Sequence, residues 1–493
     1  MDELEEILQR CFHVEEFRPG QRAAIETILS GRDVLAIWPT GAGKSLVYQM
    51  ASQLLPHLTL VVTPLVSLLF DQVRRLHQMG FSNAACLSSA QHPAENARAL
   101  EALRLGQLKI LFLTPERLNS EAFLARLRGT PISLLTIDEA HCICQWGHDF
   151  RPDYLNLGRA INVLQPRSIL AMTATATTAA QEQISRLLGL QNPAFIRLSL
   201  DRPNLHYSAL EVPRLQARDV ALQHLLRRQG LPAIIYINQR QECENTAIYL
   251  RQQGLRADFY HASLPPEVRH SVQQRFLEGE LQVIAATTAF GMGVDKPDVR
   301  QVIHLTPSNS LEEYYQESGR AGRDRQEAHC LLLYSPSSFE LAWKQLEHKY
   351  PSEEQLGEIY EALSRRSPRQ LRADFLSLNP AGWRLSLNAI LGYAHREDEV
   401  SQPMRSLEGV RAYLNYLQQQ ERQRLQAMQS YAYSQNCRRR ALLGYFGEEV
   451  DYCSGCDRCL PPSPWKKPSP LQRLWRLLNR AGETMEPILA AGI

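Results

Sequence analysis

The sequence has little of several things that would narrow its class at once. Nowhere in its 493 residues do about 18 apolar residues run together, and the start, Met1 to Arg10, is polar and acidic, so neither a membrane-spanning helix nor a signal peptide is expected. Net charge is almost absent: 54 Lys and Arg against 52 Asp and Glu leave +2, which selects no partner. There is no internal repeat of fixed period. Hydrophobic residues at 44%, charged at 22% and aromatic at 8% are globular proportions that exclude a disordered, collagen-like or coiled-coil chain. The length exceeds one core of roughly 100–200 residues and predicts about three folded units; with neither signal peptide nor spanning helix expected, the expected compartment is the cytoplasm.

Charge and cysteine are unevenly placed. From Arg405 to Arg480 there are 13 Lys and Arg against 6 Asp and Glu, a local +7, which suits a phosphate backbone or a solvated helical face. Six cysteines are scattered, whereas Cys437, Cys453, Cys456 and Cys459 gather. Two overlapping CxxC steps with a distant fourth thiol suit tetrahedral zinc in a reducing compartment. The alternative, a set of small buried thiols, fits poorly beside Gly455, Asp457 and Pro461.

Short apolar runs recur between helical stretches: Leu58 to Thr63, Lys109 to Thr114, Ser133 to Asp138 and Ser168 to Thr175, then Ala233 to Ile237, Gln282 to Thr287 and Gln301 to Leu305. These predict buried parallel strands, interrupted at Ser199 to Leu205 by Pro203 and Asn204, where two α/β units are expected to meet and to bind ligand at their strand ends. Helical patterns take over beyond Trp343, as in Gly409 to Tyr433. The expected division is 1–200 and 201–345 for the α/β units, 346–425 for a helical or winged-helix-like insertion, 426–460 for a zinc module, and 461–493 for a Pro-rich linker with a short basic helix.

Three motifs carry chemistry. Pro39-Thr40-Gly41-Ala42-Gly43-Lys44-Ser45 follows an apolar run and reads as a phosphate loop, with glycines for close backbone approach, Lys44 for the β- and γ-phosphates and the Ser45 hydroxyl for Mg2+; Trp38 stands where the generic pattern has Gly. Asp138-Glu139-Ala140-His141 ends another run, placing Asp138 for Mg2+ and Glu139 for the attacking water. Gln316 to Arg323 holds Arg320 and Arg323, three apart. These could stabilise γ-phosphoryl transfer or simply form a salt-bridged surface helix.

These segments resemble superfamily 2 helicases, and further strings resemble the RecQ family of DNA helicases: Phe17-Arg18-Pro19-Gly20-Gln21, Thr63 to Leu68, Asp138 to Tyr154, Thr173 to Ala176, Ala289 to Val299 and Tyr315 to Asp324. Cys437-Arg438-Arg439-Arg440, Tyr445 to Glu448 and the three later cysteines are similar to that family's zinc module. The resemblance implies two tandem RecA-like parallel-sheet domains followed by a mostly helical region. It implies ATP, Mg2+ and Zn2+ as cofactors. Arg18 and Gln21 would recognise adenine, Thr40, Gly41, Gly43, Lys44 and Ser45 the phosphates, and Asp295 the ribose; Gln316, Arg320 and Arg323 would join Lys44, Asp138 and Glu139 in catalysis. Trp146, His148, Phe150 and Arg151 lie in a segment similar to the aromatic-rich loop that couples DNA contact to hydrolysis; without the motif, Trp146 and Phe150 would pass for core residues.

The chain departs from the family pattern at Val14, where an aromatic usually stacks on adenine, and at His13, where Gly is common. Only 34 residues follow Cys459, fewer than the family's usual winged helix needs, so this reads as a short form and 346–425 becomes the candidate duplex grip or a spacer. The implied function is an ATP-dependent 3′ to 5′ helicase for single-stranded and forked DNA in recombination and repair, nucleoid-associated if bacterial, with single-strand-binding or repair proteins as candidate partners. The competing function is a DNA-dependent ATPase that remodels or anneals without unwinding.

Overall fold

The computed structural model describes residues 3–39, 41–64, 66–144, 152–212, 215–228, 230–291, 296–357 and 407–459. The chain divides into two compact units, Met1–Leu200 with His348–Gln418, and Asp201–Glu347 with Gln419–Ile493. The break falls inside the Ser199 to Leu205 interruption. The insertion expected at 346–425 falls largely on 358–406, and the linker and helix of 461–493 fall wholly, outside the described residues. Residue 425 lies within one continuous helix, Leu407–Tyr433, so the expected boundary between insertion and zinc module is not a break in structure.

The first unit is built on seven parallel strands: β1 (Val34–Ile37), β2 (Leu58–Val62), β3 (Ala84–Leu87), β4 (Ile110–Leu113), β5 (Ile132–Ile137), β6 (Ile169–Thr173) and β7 (Ala194–Arg197), ordered β3-β4-β2-β5-β6-β1-β7. Every residue of β1, β2, β4, β5 and β6 is buried, as near-continuous Val, Ile and Leu require when helices cover both sheet faces. Val34, Ala36, Val61, Leu134, Leu170 and Met172 share one core with Ile25, Ile28 and Met50 of the flanking helices.

The second unit has six parallel strands: β8 (Leu205–Glu211), β9 (Ala233–Tyr236), β10 (Ala257–Tyr260), β11 (Val283–Ala286), β12 (Gln301–His304) and β13 (Ala328–Tyr334), ordered β10-β11-β9-β12-β13-β8. Seven of the thirteen described strands answer to the runs read as strands, and β1 to the apolar run Val34 to Ile37 ahead of the phosphate loop. Of the five that do not, β3, β7, β8 and β10 are the sheet edges; β7, β8 and β10 carry polar residues, with β7 alternating half-buried and exposed positions, whereas β3 is the short apolar run Ala-Ala-Cys-Leu. β13 is central and fully apolar from Cys330 to Leu333, and edge position does not explain it.

The zinc loop covers the β8 edge. Tyr207 N–H donates to Gly455 O (3.4 Å), Asp457 N–H to Tyr207 O (3.1 Å), and Asp457 Oδ2 accepts from Ala209 N–H (3.2 Å), so backbone groups of an otherwise open edge are paired. This approach needs glycine at 455, because a Cβ there would overlap the His206 ring, and that ring is itself stacked on His329 at 5.3 Å. Gly455→Ala is therefore expected to destabilise the second unit by about 1–3 kcal/mol, the usual cost of overpacking. Thermal melting checks this, and His206→Ala in the same chain should restore most of the loss.

Candidate functional site

The first site forms where β1, β6 and β5, three neighbouring strands, release the chain at one sheet edge. With strands spaced about 4.8 Å apart, the ends of β1 and β5 lie about 10 Å from each other. After β1, Trp38 is fully buried, its indole donating to Ile196 O at 3.0 Å; it fills the position where the generic loop has Gly. Its ring is also why residue 20 is glycine, since a Cβ there would meet Trp38, Leu198 and Ile196 within 3.1–3.3 Å and φ is +79°. Gly41 and Gly43 have φ of +86° and +79°, left-handed values that turn the loop into the helix Lys44–Leu54 and leave backbone N–H groups for an anion.

Arg18 and Gln21 brace this loop. Arg18 Nη1 donates to Gly41 O (2.5 Å), Gln21 Nε2 to Gly43 O (2.9 Å) and Ala42 O (3.4 Å), and Gln21 Oε1 accepts from Arg18 N–H (2.8 Å). Val14 packs against the core, and His13 adopts φ +55°, the conformation that makes Gly common at such a position.

Asp138 extends β5 through its N–H to Val62 O (2.9 Å), and its Oδ1 accepts from Glu139 N–H (2.9 Å). Burial and the neighbouring Glu139 push the Asp138 carboxyl up to about 6, against the pull of Lys44. Glu139 sits at φ +49°, a strained value for a non-glycine residue. Its carboxylate lies 3.3 Å from His141 Nδ1, which contacts Thr173 Oγ1 at 2.8 Å, so the acid pair sits beside the end of β6. Tyr154, fully buried, donates its hydroxyl to Asp138 O at 2.9 Å. The oxygen donors Ser45 and Asp138 fit the preference of Mg2+ for hard ligands. Of the predicted residues, Thr40, Trp146, His148, Phe150, Arg151 and Asp295 lie outside the described residues.

In the second unit, Gln316 lies in the last turn of the helix Leu311–Ser318, and Arg320 and Arg323 follow that helix. Buried Glu317 locks this helix to the end of β12, its Oε2 meeting His304 Nε2 and accepting from Ser308 Oγ, both at 2.9 Å. Arg320 is only 8% exposed, which excludes the surface salt-bridge alternative for this residue. Arg202 and Asn204, which sequence reading leaves as a mere interruption, surround the turn. Their polar side chains beside Pro203 were the available signal.

The four cysteine sulfurs lie within 4.8 Å of one another, with Cys437 and Cys456 at 3.9 Å. Zn–S bonds of about 2.3 Å put tetrahedral sulfurs about 3.8 Å apart, so the set fits zinc. Burial alone would raise the Cys456 thiol, but N–H groups of Arg438, Arg458 and Cys459 outweigh it and hold it below its usual range, favouring thiolate. From the helix Arg438–Tyr445, which Cys437 caps, two fully buried arginines reach inward. Arg438 pairs with Asp457 (3.1 Å) and donates to Tyr431 O and Ala432 O, while Arg439 pairs with Asp201. Tyr445 donates to Glu312 Oε1 at 2.9 Å, joining this module to the helix ahead of Arg320.

Three family models match the chain: DEAD/DEAH box helicase over residues 18–184, helicase conserved C-terminal domain over 217–325, and RecQ zinc-binding over 405–460. The probable ATP-dependent DNA helicase RecS of Bacillus subtilis (strain 168) is 36% identical over 473 residues, covering 93% of this chain and 92% of that protein. The ATP-dependent DNA helicase RecQ of Pasteurella multocida (strain Pm70) is 35% identical over 97% of this chain, which spans 66% of its length; that of Haemophilus influenzae is 34% identical, with 97% and 67% covered. Among solved structures, the DUF1998 helicase MrfA bound to DNA shares the fold with a TM-score of 0.57 at 17% identity, over 68% of this chain and 51% of that one. The DEAD-box helicase Mss116 bound to ssRNA and UDP-BeF does so with 0.56 at 19%, over 85% and 89%.

The metal centre yields a direct expectation. Four thiolates fill the zinc shell and leave no position for water, so the metal is structural. Metal analysis should find about one zinc per chain. Cys456→Ser should lose it and melt roughly 10 °C lower, given about 2–4 °C per kcal/mol and several kcal/mol of metal-linked folding energy. Full stability of that variant, or no zinc in the intact protein, contradicts the assignment.

Proposed function

The chain belongs to the RecQ family of ATP-dependent DNA helicases, and from that premise we propose that it hydrolyses ATP to move 3′ to 5′ along single-stranded DNA and to separate forked or branched duplexes in recombination and repair. The observation that carries the catalytic half is the convergence of the phosphate loop and the Asp138–Glu139 pair on one sheet edge, with Lys44 acting on Asp138. No described helix is long and apolar enough to cross a membrane.

In this reading, the loop N–H groups and Lys44 hold the phosphates, and Ser45 and Asp138 hold Mg2+, which neutralises phosphate charge when bound. Glu139 orients and deprotonates the attacking water. His141, 3.3 Å from the Glu139 carboxylate and in contact with Thr173, lies beside it. Arg320 and Arg323, with Gln316, stabilise charge in the transition state. Gln21 Oε1 accepts from Arg18 N–H and keeps a second lone pair, so Arg18 and Gln21 can recognise adenine while Gln21 Nε2 stays on the loop. Asp295 serves the ribose, and Trp146, His148, Phe150 and Arg151 report DNA contact to the acid pair.

Lys44→Ala should lose ATP binding and turnover, whereas Glu139→Gln should bind ATP and lose about 100-fold or more in DNA-stimulated turnover, the usual share of a general base. Both should fail to unwind a fork. ATPase and strand separation measured on one forked DNA decide the matter: stimulated hydrolysis by the intact chain without separation selects the remodelling ATPase, and near-normal turnover in Glu139→Gln removes it as the base.

Trp146→Ala should lower ATP turnover with single-stranded DNA much more than without it. Equal loss of both rates assigns the loop a structural role.

A further inference from the structure

A helix C-terminus leaves carbonyls without helical partners, and the turn after Ser318 gathers several of them around one side chain. Arg202 donates from Nη1 to Gly319 O (3.3 Å) and from Nη2 to Ala321 O (3.1 Å) and Gly322 O (2.6 Å). Asn204 Nδ2 adds bonds to Gly322 O (2.9 Å) and Gln326 O (2.8 Å). The turn needs this close approach: Gly322 has φ +54°, and a Cβ there would come within 2.5 Å of Asn204 Nδ2 and 2.8 Å of Gln326 O. Arg202 is held in turn by the zinc module, since Arg439 Nη1 donates to Arg202 O (3.0 Å), Nη2 to Leu205 O (2.5 Å), and its guanidinium pairs with Asp201.

The turn decides where Arg320 points. Its guanidinium lies beside the Tyr236 hydroxyl and within 3.0 Å of where a Cβ on Gly291 would stand, at the C-terminal ends of β9 and β11, the edge at which parallel sheets bind ligands. A shift of the carbonyls of Gly319, Ala321 and Gly322 carries the Arg320 side chain away from that edge. A planar five-donor fork can serve three carbonyls at once; a lysine cannot.

We propose that Arg202, assisted by Asn204, is a positioning residue for ATP hydrolysis: it holds the backbone that aims Arg320 and Arg323 and itself touches neither nucleotide nor metal. The proposal rests on the reading of Arg320 and Arg323 as transition-state arginines. It makes the segment between the two α/β units part of the catalytic apparatus and gives the zinc module, through Arg439, a line to the arginine turn.

The test is a double-mutant cycle in the full chain with Arg202→Lys, Arg320→Ala and the pair, reading kcat and KM for ATP with single-stranded DNA alongside zinc content and melting temperature. Arg202→Lys should lower kcat by on the order of 10- to 100-fold, as misplacement of a reacting group does, with KM within about twofold. In the Arg320→Ala background it should cost clearly less, only the share that runs through Arg323. Additive losses, or an unchanged kcat in Arg202→Lys while Arg320→Ala is impaired, overturn the proposal alone; a near-normal kcat in Arg320→Ala overturns the reading beneath it. Should Arg202→Lys lose zinc or melt early, Asn204→Ala, which spares every contact of Arg439, replaces it in the same cycle, and an unchanged kcat there overturns the proposal.

Discussion

Every strand pair in both sheets is parallel. A parallel strand cannot turn directly into its neighbour, so each needs a crossover, and all strands deliver their C-termini to one edge. The phosphate loop after β1, Thr173 at the end of β6 and Asp138 after β5 are thereby neighbours although about 100 residues separate the first from the last. In the second sheet the same constraint brings Tyr236, Gly291 and Arg320 together at the ends of β9 and β11. Side-chain bonds then refine what strand direction sets up, as where His141 meets Thr173 and Tyr154 holds Asp138 O.

Buried charge is the second organising theme. An unpaired buried charge costs several kcal/mol, and Arg438 and Arg439 are both fully buried. Each is met by a carboxylate and by backbone carbonyls, so their helix is held to the second sheet by geometry that few other arrangements satisfy. The zinc loop supplies Asp457 to Arg438 and at the same time pairs the open edge of β8. Metal, buried arginines and sheet edge are one structural device, and the helix leading to Arg320 is joined to it through Tyr445 and Glu312.

Much of this was legible residue by residue. The central strands announce themselves because burial on both faces demands uninterrupted apolar residues, and the phosphate loop, acid pair and cysteines because their chemistry demands particular residue types at short spacing. Edge strands were not legible: β3, β7, β8 and β10 each have a strand neighbour on one side only, so polar residues such as Arg197 in β7, His206 and Ser208 in β8 and Asp258 in β10 are tolerated, and β3 is four residues without a branch at Cβ, Ala-Ala-Cys-Leu. Trp38 looked like a departure from the loop pattern and proved to be a core residue shaping Gly20.

What the sequence by itself determined, then, is the local chemistry: which segments hold phosphate, acids, arginines and zinc, and that two α/β units carry them, because those properties depend on neighbours a few residues apart. What only the tertiary structure decided is support. That Gln21 braces the phosphate loop, that Tyr154 holds the Asp138 carbonyl, and that Arg202 and Asn204 carry the arginine turn depend on partners as many as 122 residues away. A hydrogen bond between such residues leaves no periodicity or spacing to read, because it is created only when strand order places its two ends side by side.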